Sequence, residues 1–303
     1  MSTVSSSGPL YNDTDAHFRA WCQHFHDTFA LGWVQTSDTG QINLGTVAKP
    51  AAGNAKQGYE IWKMADTLQA TAPCYVRIDY GSGTIATYPG IWLTIGTGSD
   101  GSGNITGKIY DGGGVVAAGL VSSGNATSYT HYGSADTNRI TVMLGADSAS
   151  YHVGFGIERT KDANGDDTAT GFLTAGAASY TLQRPFGLTG ASSGSYSHLH
   201  YTLATGTQTP WATGWSYVLF NENPSAFASD VGVGLPIPMG TVAKQPGTNW
   251  AVCRQNDFIL GAAPSITIYG SAISFIRTGR SPGVGIGGSS SSDDTAAILM
   301  RYD

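Results

Sequence analysis

The chain has 303 residues, of which 12% are charged and 42 are glycine, and its formal net charge is −6. An ordinary soluble domain carries roughly 25% charged residues, so surface polarity here has to come largely from hydroxyl groups and the backbone. The 15 Lys and Arg residues are scattered, which excludes a nucleic-acid-binding surface made of clustered basic side chains. This composition favours a protein packed against many neighbours over a free cytosolic enzyme.

The first residues, the apolar windows and the cysteines indicate the cellular compartment of the protein. The first residues lack the cationic and apolar blocks of a signal peptide, and no window is apolar for long enough to span a bilayer. We therefore expect synthesis in the cytoplasm and no membrane insertion. Cys22, Cys74 and Cys253 lie far apart, so they predict neither a disulfide framework nor a zinc site, and each is expected to be a small buried side chain.

One stretch, residues 12–30, has the periodicity of an amphipathic helix. Asp13 or Thr14 can cap it, and Gly32 can end it. The apolar face is almost wholly aromatic and must dock either on the β-domain or on a neighbouring subunit. We predict partner docking for its four large residues, Phe18, Trp21, Phe25 and Phe29.

From Trp33 onward the apolar period changes to two, and turn residues recur about every ten positions. Many short antiparallel strands without intervening helices predict a mainly β fold, a jelly-roll-like β-sandwich preceded by one N-terminal amphipathic helix. In domain terms, we expect an arm and docking helix over residues 1–35 and a sandwich body over 36–303, with a Gly/Ser-rich loop at 279–295. The predicted strands cover residues 41–47, 59–64, 75–80, 91–96, 104–109, 128–132, 139–144, 151–159, 171–175, 180–183, 215–220, 250–254, 266–275 and 297–302.

Residues 75–80 illustrate the alternation. Arg77 and Asp79 fit the polar face of a half-buried strand because they alternate with Val76, Ile78 and Tyr80. The three apolar residues are expected in the core, together with Trp92.

The run KDANGDD is the best candidate for a metal site. Asp162, Asn164, Asp166 and Asp167 offer oxygen ligands around a glycine, which is what a calcium loop requires. The spacing is not that of an EF-hand, and Asn-Gly flanked by Asp is also ordinary hairpin-turn chemistry. The turn is the favoured interpretation, and we predict no cofactor.

No catalytic group stands out. His198 and His200 would share a face of a strand, but no third metal ligand can be assigned, and a polar subunit contact is the favoured setting. The chain lacks a G-x-S-x-G elbow, and nothing in the spacing selects two carboxylates for glycoside cleavage. We therefore predict that the protein is not an enzyme.

A cluster of aromatic residues near position 211 suggests a second kind of site. Trp211, Trp215 and Tyr217 lie close together beside polar loop residues, as in glycan-binding β-sandwiches. Most aromatic side chains belong to cores and interfaces, so a glycan contact is the minority interpretation for each of them.

Several runs of the chain resemble β-rich virion structural proteins of tailed bacteriophages, which occur among tail tip, baseplate and fibre components. They are AHFRAWCQHFHDTFALGWVQTSDTGQIN, GYEIWKMADTLQATAPCYVRIDYGSG, IWLTIGTGSDGSGNITG, FGIERTKDANGDDTATG and WSYVLFNENPSAFASDVG. The resemblance implies a homo-oligomeric particle component located in the virion, with other tail or virion proteins as partners and no catalytic residues to transfer.

From this resemblance and the composition we expect a homotrimer in preference to a hexamer or a monomer. A host-glycan receptor-binding module, a capsid decoration protein and, least favoured, a polysaccharide depolymerase are the alternatives.

Overall fold

A computed structural model gives the fold of the chain. It describes residues 2–83, 85–112, 128–145, 153–162, 164–177, 196–202, 207–211, 237–240, 246–254, 265–268, 271–285 and 295–303. From residue 172 onward, most of the strands are described by their backbone alone.

The described part is mainly β, with several antiparallel sheets and one α-helix. The helix α1 spans Asp15–Ala30, and a short 3-10 helix spans Thr67–Ala70. The strands, numbered along the chain, are β1 (Ser2–Pro9), β2 (Val34–Gln35), β3 (Lys56–Lys63), β4 (Tyr75–Ser82), β5 (Pro89–Gly96), β6 (Gly98–Ser99), β7 (Ile105–Thr106), β8 (Tyr110–Gly112), β9 (Ser128–Asp136), β10 (Arg139–Leu144), β11 (Val153–Lys161), β12 (Asp167–Ala177), β13 (Tyr196–Thr202), β14 (Thr207–Trp211), β15 (Ile237–Gly240), β16 (Pro246–Arg254), β17 (Ser265–Ile268), β18 (Ser271–Gly285) and β19 (Thr295–Arg301).

These strands form three sheets and a ribbon. The seven-stranded sheet has the order β1-β9-β10-β11-β12-β13-β14, so from β9 onward it is a meander. The N-terminal sheet has the order β2-β3-β4-β5-β8, and the C-terminal sheet has the order β15-β16-β19-β18-β17. Strands β6 and β7 pair as a two-stranded hairpin. All the recorded pairings are antiparallel, as the short connections between most successive strands allow.

Helix α1 begins as its sequence predicts. Thr14 is the N-cap, and its hydroxyl accepts a hydrogen bond from the backbone amide of His17 at 3.1 Å. The helix lies against both the N-terminal sheet and the seven-stranded sheet. Phe29 stacks on Trp62 of the N-terminal sheet with ring centroids 5.4 Å apart, and Phe25 stacks on Phe155 of the seven-stranded sheet at 5.9 Å.

The partner-docking assignment of α1 is therefore wrong. All four predicted docking residues are buried within the chain itself, with at most 2% of their surface exposed. Sequence analysis gave two possible docking surfaces for the helix, the β-domain and a neighbouring subunit, and the helix packs on the β-domain of its own chain. The four residues belong to one core cluster that also contains side chains of both neighbouring sheets. They are Phe18, Trp21, Phe25 and Phe29.

The domain boundary predicted at residue 35 does not correspond to a boundary in the fold. The N-terminal arm is strand β1, which pairs along its whole length with β9, and α1 lies in the common core. The predicted Gly/Ser loop is also shorter than expected, because β18 continues to Gly285, where it pairs with Thr295.

Most of the strand predictions that fall on described residues are confirmed, with boundaries shifted by a few positions. Residues 41–47 are not a strand, residues 104–109 contain only the two-residue β7, and residues 266–275 form the hairpin β17–β18. Seven strands were not predicted: β1, β2, β6, β8, β13, β14 and β15. The predicted strands at 180–183 and 215–220 lie outside the described residues.

Cys22 and Cys74 form no disulfide and are fully buried, as expected, while the side chain of Cys253 is outside the described part. In that part of the chain no helix is long and apolar enough to cross a membrane.

Candidate functional site

The outer face of the N-terminal sheet, which points away from α1, concentrates charged and aromatic side chains. Backbone register places Tyr59, Asp79 and Trp92 in one row across β3, β4 and β5. Arg77 and Thr94 stand opposite each other in the next row. Since residues opposite each other in antiparallel strands share a face, these five side chains project to the same side.

Asp79 is the centre of this outer face. Its carboxylate is only 3% exposed and is held by two cations. Arg77 donates to both oxygens, with Nη2 2.6 Å from Oδ1 and Nε 3.1 Å from Oδ2, and Lys56 Nζ lies 3.1 Å from Oδ2. A buried carboxylate requires such partners, because desolvation without compensation is unfavourable.

The two aromatic rings of the first row each carry a cation. The Arg77 guanidinium lies 4.0 Å from the centre of the Tyr59 ring, and Lys56 Nζ lies 5.2 Å from the centre of the Trp92 ring. Trp92 is 9% exposed under this lysine. Trp92 is buried, as expected, but its ring lies on the opposite side of the sheet from the core cluster around α1.

The hairpin β6–β7 folds back onto one end of the outer face. Arg77 Nη1 donates to the Gly103 carbonyl, and Gly103 has a φ of +96°. A Cβ at this glycine would lie 2.1 Å from the Tyr59 hydroxyl, so both the backbone angle and the close packing require glycine there.

A second ion pair borders the other end of the outer face. Thr94 donates to Asp111 at 3.2 Å, and Lys108 Nζ lies 3.0 Å from the same carboxylate. The hydrogen bond from Lys108 lowers the pKa of Asp111, and Thr94 and the positive charge of Lys56 contribute in the same direction. Lys56 therefore lies within electrostatic reach of both carboxylates of this face.

The inner face of the same sheet carries a buried carboxylate, Glu60, directed at helix α1. Tyr80 donates to Oε2 at 2.6 Å and Trp62 Nε1 at 3.3 Å, while His26 Nδ1 lies 2.6 Å from Oε1. Gln35 adds a weaker contact at 3.4 Å. Glu60 is 1% exposed, and this set of donors accounts for its stability in the core.

The Glu60 cluster changes the acid–base properties of its neighbours. The hydrogen bond to Glu60 raises the pKa of His26, while burial raises the pKa values of Tyr80 and Cys22 well above their usual ranges. A carboxylate behind a histidine is the arrangement of a general base. Among the described residues, the hydrogen bonds of this cluster link α1 to β3 through His26 and Glu60, and none of them brings a nucleophile to His26.

The calcium candidate adopts the geometry of a turn. Asp162 Oδ1 accepts hydrogen bonds from the backbone amides of Asn164 and Asp166, at 2.8 and 3.0 Å, and Gly165 has a φ of +90°. Asp167 is directed elsewhere and pairs with Lys161. Among the described side chains, no group of three His, Cys, Asp or Glu residues is placed to hold a metal ion.

The other predicted site residues fall largely outside the described side chains. The backbone places His198 and His200 in β13, and register pairs His198 with Trp211 of the edge strand β14. Trp215 and Tyr217 lie outside the described residues. The glycan-contact prediction for these aromatics therefore stays a prediction.

Sequence analysis identified Arg77 and Asp79 as an outward polar pair but missed their combination with Lys56 and Trp92. Lys56 lies at the start of β3, where a bulge shifts the register between Lys56 and Gly58. Because a bulge is not visible in the alternation pattern, no sequence signal connects Lys56 with Trp92.

Comparisons with known protein families, with curated proteins and with solved structures gave no match for this chain.

Proposed function

We propose that the chain is a structural component of a tailed-phage virion, at the tail tip, baseplate or fibre, and that it assembles with copies of itself and with other virion proteins. A homotrimer is the favoured assembly. The observation that carries the proposal is strand β1, which is an edge of the seven-stranded sheet within the described part of the chain.

Strand β1 lacks the usual protection of an edge. Its sequence is STVSSSGP, which contains no charged residue, its only proline is the last residue, and its register with β9 runs without a bulge. Natural edge strands are normally protected by charge, proline or bulges, because their free backbone groups pair readily with another chain. An unprotected edge supports assembly through main-chain hydrogen bonds, and it replaces α1 as the proposed contact.

The proposal also includes the way in which the sheets pack in layers. Side chains from the seven-stranded sheet and the N-terminal sheet share one core with α1, which supports a sandwich-like body. A jelly roll requires Greek-key connections, whereas the strands from β9 to β14 follow one another as neighbours. We therefore favour a sandwich built from meanders.

Sedimentation analysis tests the assembly. We expect the purified chain to sediment as a trimer at micromolar concentration. Adding a charge at an exposed position of β1 with Ser5→Lys should shift the distribution toward the monomer. Ala51→Lys adds the same charge in an exposed loop and serves as the control. A mass of one chain, together with no assembly on adding virion partners, would contradict the proposal.

Position in the particle needs a separate experiment. Labelled antibody bound to intact virions should mark the tail. Labelling of the head instead would favour the capsid decoration alternative.

A further inference from the structure

We propose that β1 is an exchanged arm: in the assembly, β1 of one copy pairs with β9 of a neighbouring copy, in the place that the neighbour's own β1 occupies within the single chain. This inference rests on the proposed self-assembly and names the contact that builds it. The partner is a second copy of this chain, because the surface that receives the arm is the edge of β9, which matches all eight residues of β1 in register without a bulge.

The side chains of β1 contribute little to the core. None of its eight residues is buried, and four of them are exposed. Among the described residues, the core cluster contains no member of β1 and begins at Leu10. Strand β1 is therefore held mainly by main-chain pairing with β9, and such pairing does not depend on which copy supplies the strand.

One side-chain hydrogen bond adds to this pairing. The Ser6 hydroxyl lies 2.9 Å from His24 Nδ1 of α1, and Ser6 stands opposite His131 of β9. An arm supplied by another copy presents the same serine at the same register position. The exchange therefore preserves this hydrogen bond and changes only the chain to which the serine belongs.

Strand β9 needs the cover that β1 provides. It lies between β1 and β10, and its Tyr129, His131 and Ala135 side chains are buried. Without β1, the backbone groups of β9 would form a free edge beside the core, which is unfavourable unless another strand pairs with them. A copy that donates its arm must therefore receive one, and reciprocal exchange closes in a symmetric ring.

The arm is joined to the body at a fixed point. Leu10 and Asn12 are fully buried. Asn12 Oδ1 accepts a hydrogen bond from Trp21 Nε1 at 2.6 Å, and the Asn12 backbone amide donates to the Thr87 carbonyl at 2.7 Å. The eight residues that precede this point extend about 27 Å in the β conformation. Since none of them is buried, the arm can cross to an adjacent copy while the core beyond it stays intact.

Disulfide trapping tests the exchange. Ser7 and Thr130 stand opposite each other in the β1–β9 pairing, and neither is buried. The double variant Ser7→Cys/Thr130→Cys therefore places two thiols within disulfide range. After oxidation of the full-length variant, we expect a covalent trimer on a non-reducing denaturing gel, and a reductant should convert it to single chains.

Lys161→Cys/Asp167→Cys is the matched control, because these two positions pair across the single hairpin β11–β12 and their disulfide stays within one chain. This variant should run as single chains under the same oxidising conditions. The oxidised parent chain should also run as single chains.

Sedimentation separates the exchange from the assembly itself. If the reduced Ser7→Cys/Thr130→Cys variant sediments as a trimer but runs as single chains after oxidation, the exchange is overturned and the assembly proposal stands. A parent chain that sediments as one chain would overturn both. Because the register brings the two thiols together whichever copy supplies β1, failure to form any disulfide would also overturn the inference.

Discussion

Two histidines of α1, only two positions apart, have opposite acid–base behaviour because they face different sheets. His26 contacts Glu60 of the N-terminal sheet, and that hydrogen bond raises the pKa of the imidazole. His24 faces the seven-stranded sheet, where its Nδ1 lies 2.9 Å from the Ser6 hydroxyl and its ring packs against His131. Burial lowers the pKa of His24 from 6.5 to about 4. The contrast is a property of surroundings, not of residue type.

His24 predicts a loss of stability in mild acid. Its folded-state pKa of about 4 lies below the unfolded value of 6.5, so between these pH values the unfolded chain binds the proton more readily. The free energy of unfolding should therefore fall as pH is lowered from 6.5 to 4, by about 3 kcal/mol from this group. Urea unfolding at a series of pH values measures the effect.

The variant His24→Asn isolates this contribution, since an amide can keep the bond to Ser6 but does not titrate. His26 acts in the opposite direction, because its raised pKa adds stability in acid that is lost at higher pH. The comparison must therefore be made between the two chains at each pH. The parent chain should lose stability relative to the variant on acidification, and a difference independent of pH would contradict the prediction.

Sequence alone assigns side chains to a face of the sheet where one face of a strand is polar, but it does not do so where both faces are buried. Val76, Ile78 and Tyr80 were assigned to the core from their alternation with Arg77 and Asp79, and all three are fully buried. Every residue of β5 is buried, so the alternation that would place Trp92 on the outer face is absent. The register with β4 decides the side, and register depends on pairing partners, not on local sequence.

At the scale of elements, two turns of the chain share one design. In the turn between β6 and β7, Asp100 Oδ1 accepts hydrogen bonds from the backbone amides of Ser102 and Asn104, at 2.8 and 3.0 Å. In the KDANGDD turn, Asp162 Oδ1 likewise accepts from the backbone amides two and four positions later. In both turns the backbone amide of the aspartate also donates to the carbonyl four residues on. The side chain thus satisfies amides that the hairpin leaves unpaired.

This geometry predicts that Asp162 stabilises the turn without calcium. Asp162→Ala should lower the melting temperature, because two backbone amides lose their acceptor, while Asp162→Asn should retain most of it through the amide oxygen. Neither calcium nor a chelator should change the melting temperature of the parent chain. Calcium stabilisation that disappears in Asp162→Asn would restore the metal interpretation.

The elements themselves were predictable to different degrees. Helix α1 was predicted because its aromatic residues follow the helical period and Thr14 supplies a cap. Strand β1 was missed because a Ser-rich segment has little apolar alternation, and because its partner residues in β9 lie 119 to 133 positions away in the sequence. Residues 41–47 alternate like a strand but form turns, and Ile42 packs against the core from outside the sheet.

At the scale of the molecule, α1 is the element that joins the N-terminal sheet to the seven-stranded sheet. Sequence periodicity predicts that an aromatic face must be buried, but it does not identify the covering surface, which depends on long-range contacts. The structure resolves this point through Phe25, whose ring centroid lies 6.2 Å from Tyr80 and 5.9 Å from Phe155. One side chain therefore contacts strands β4 and β11 of different sheets.

Removing that side chain should weaken both sheets together. Phe25→Ala leaves a cavity between them and should lower the free energy of unfolding by about 3–5 kcal/mol. Native-state hydrogen exchange should show reduced protection of backbone amides in both β4 and β11.

Ile61→Ala is the control, because Ile61 is fully buried on the outer face of the N-terminal sheet and is not part of the core cluster around α1. This variant should reduce protection in β3 and β4 while leaving β11 unchanged. If Phe25→Ala loosened only one of the two sheets, the helix would be an appendage of that sheet, and the shared core inferred for α1 would be wrong.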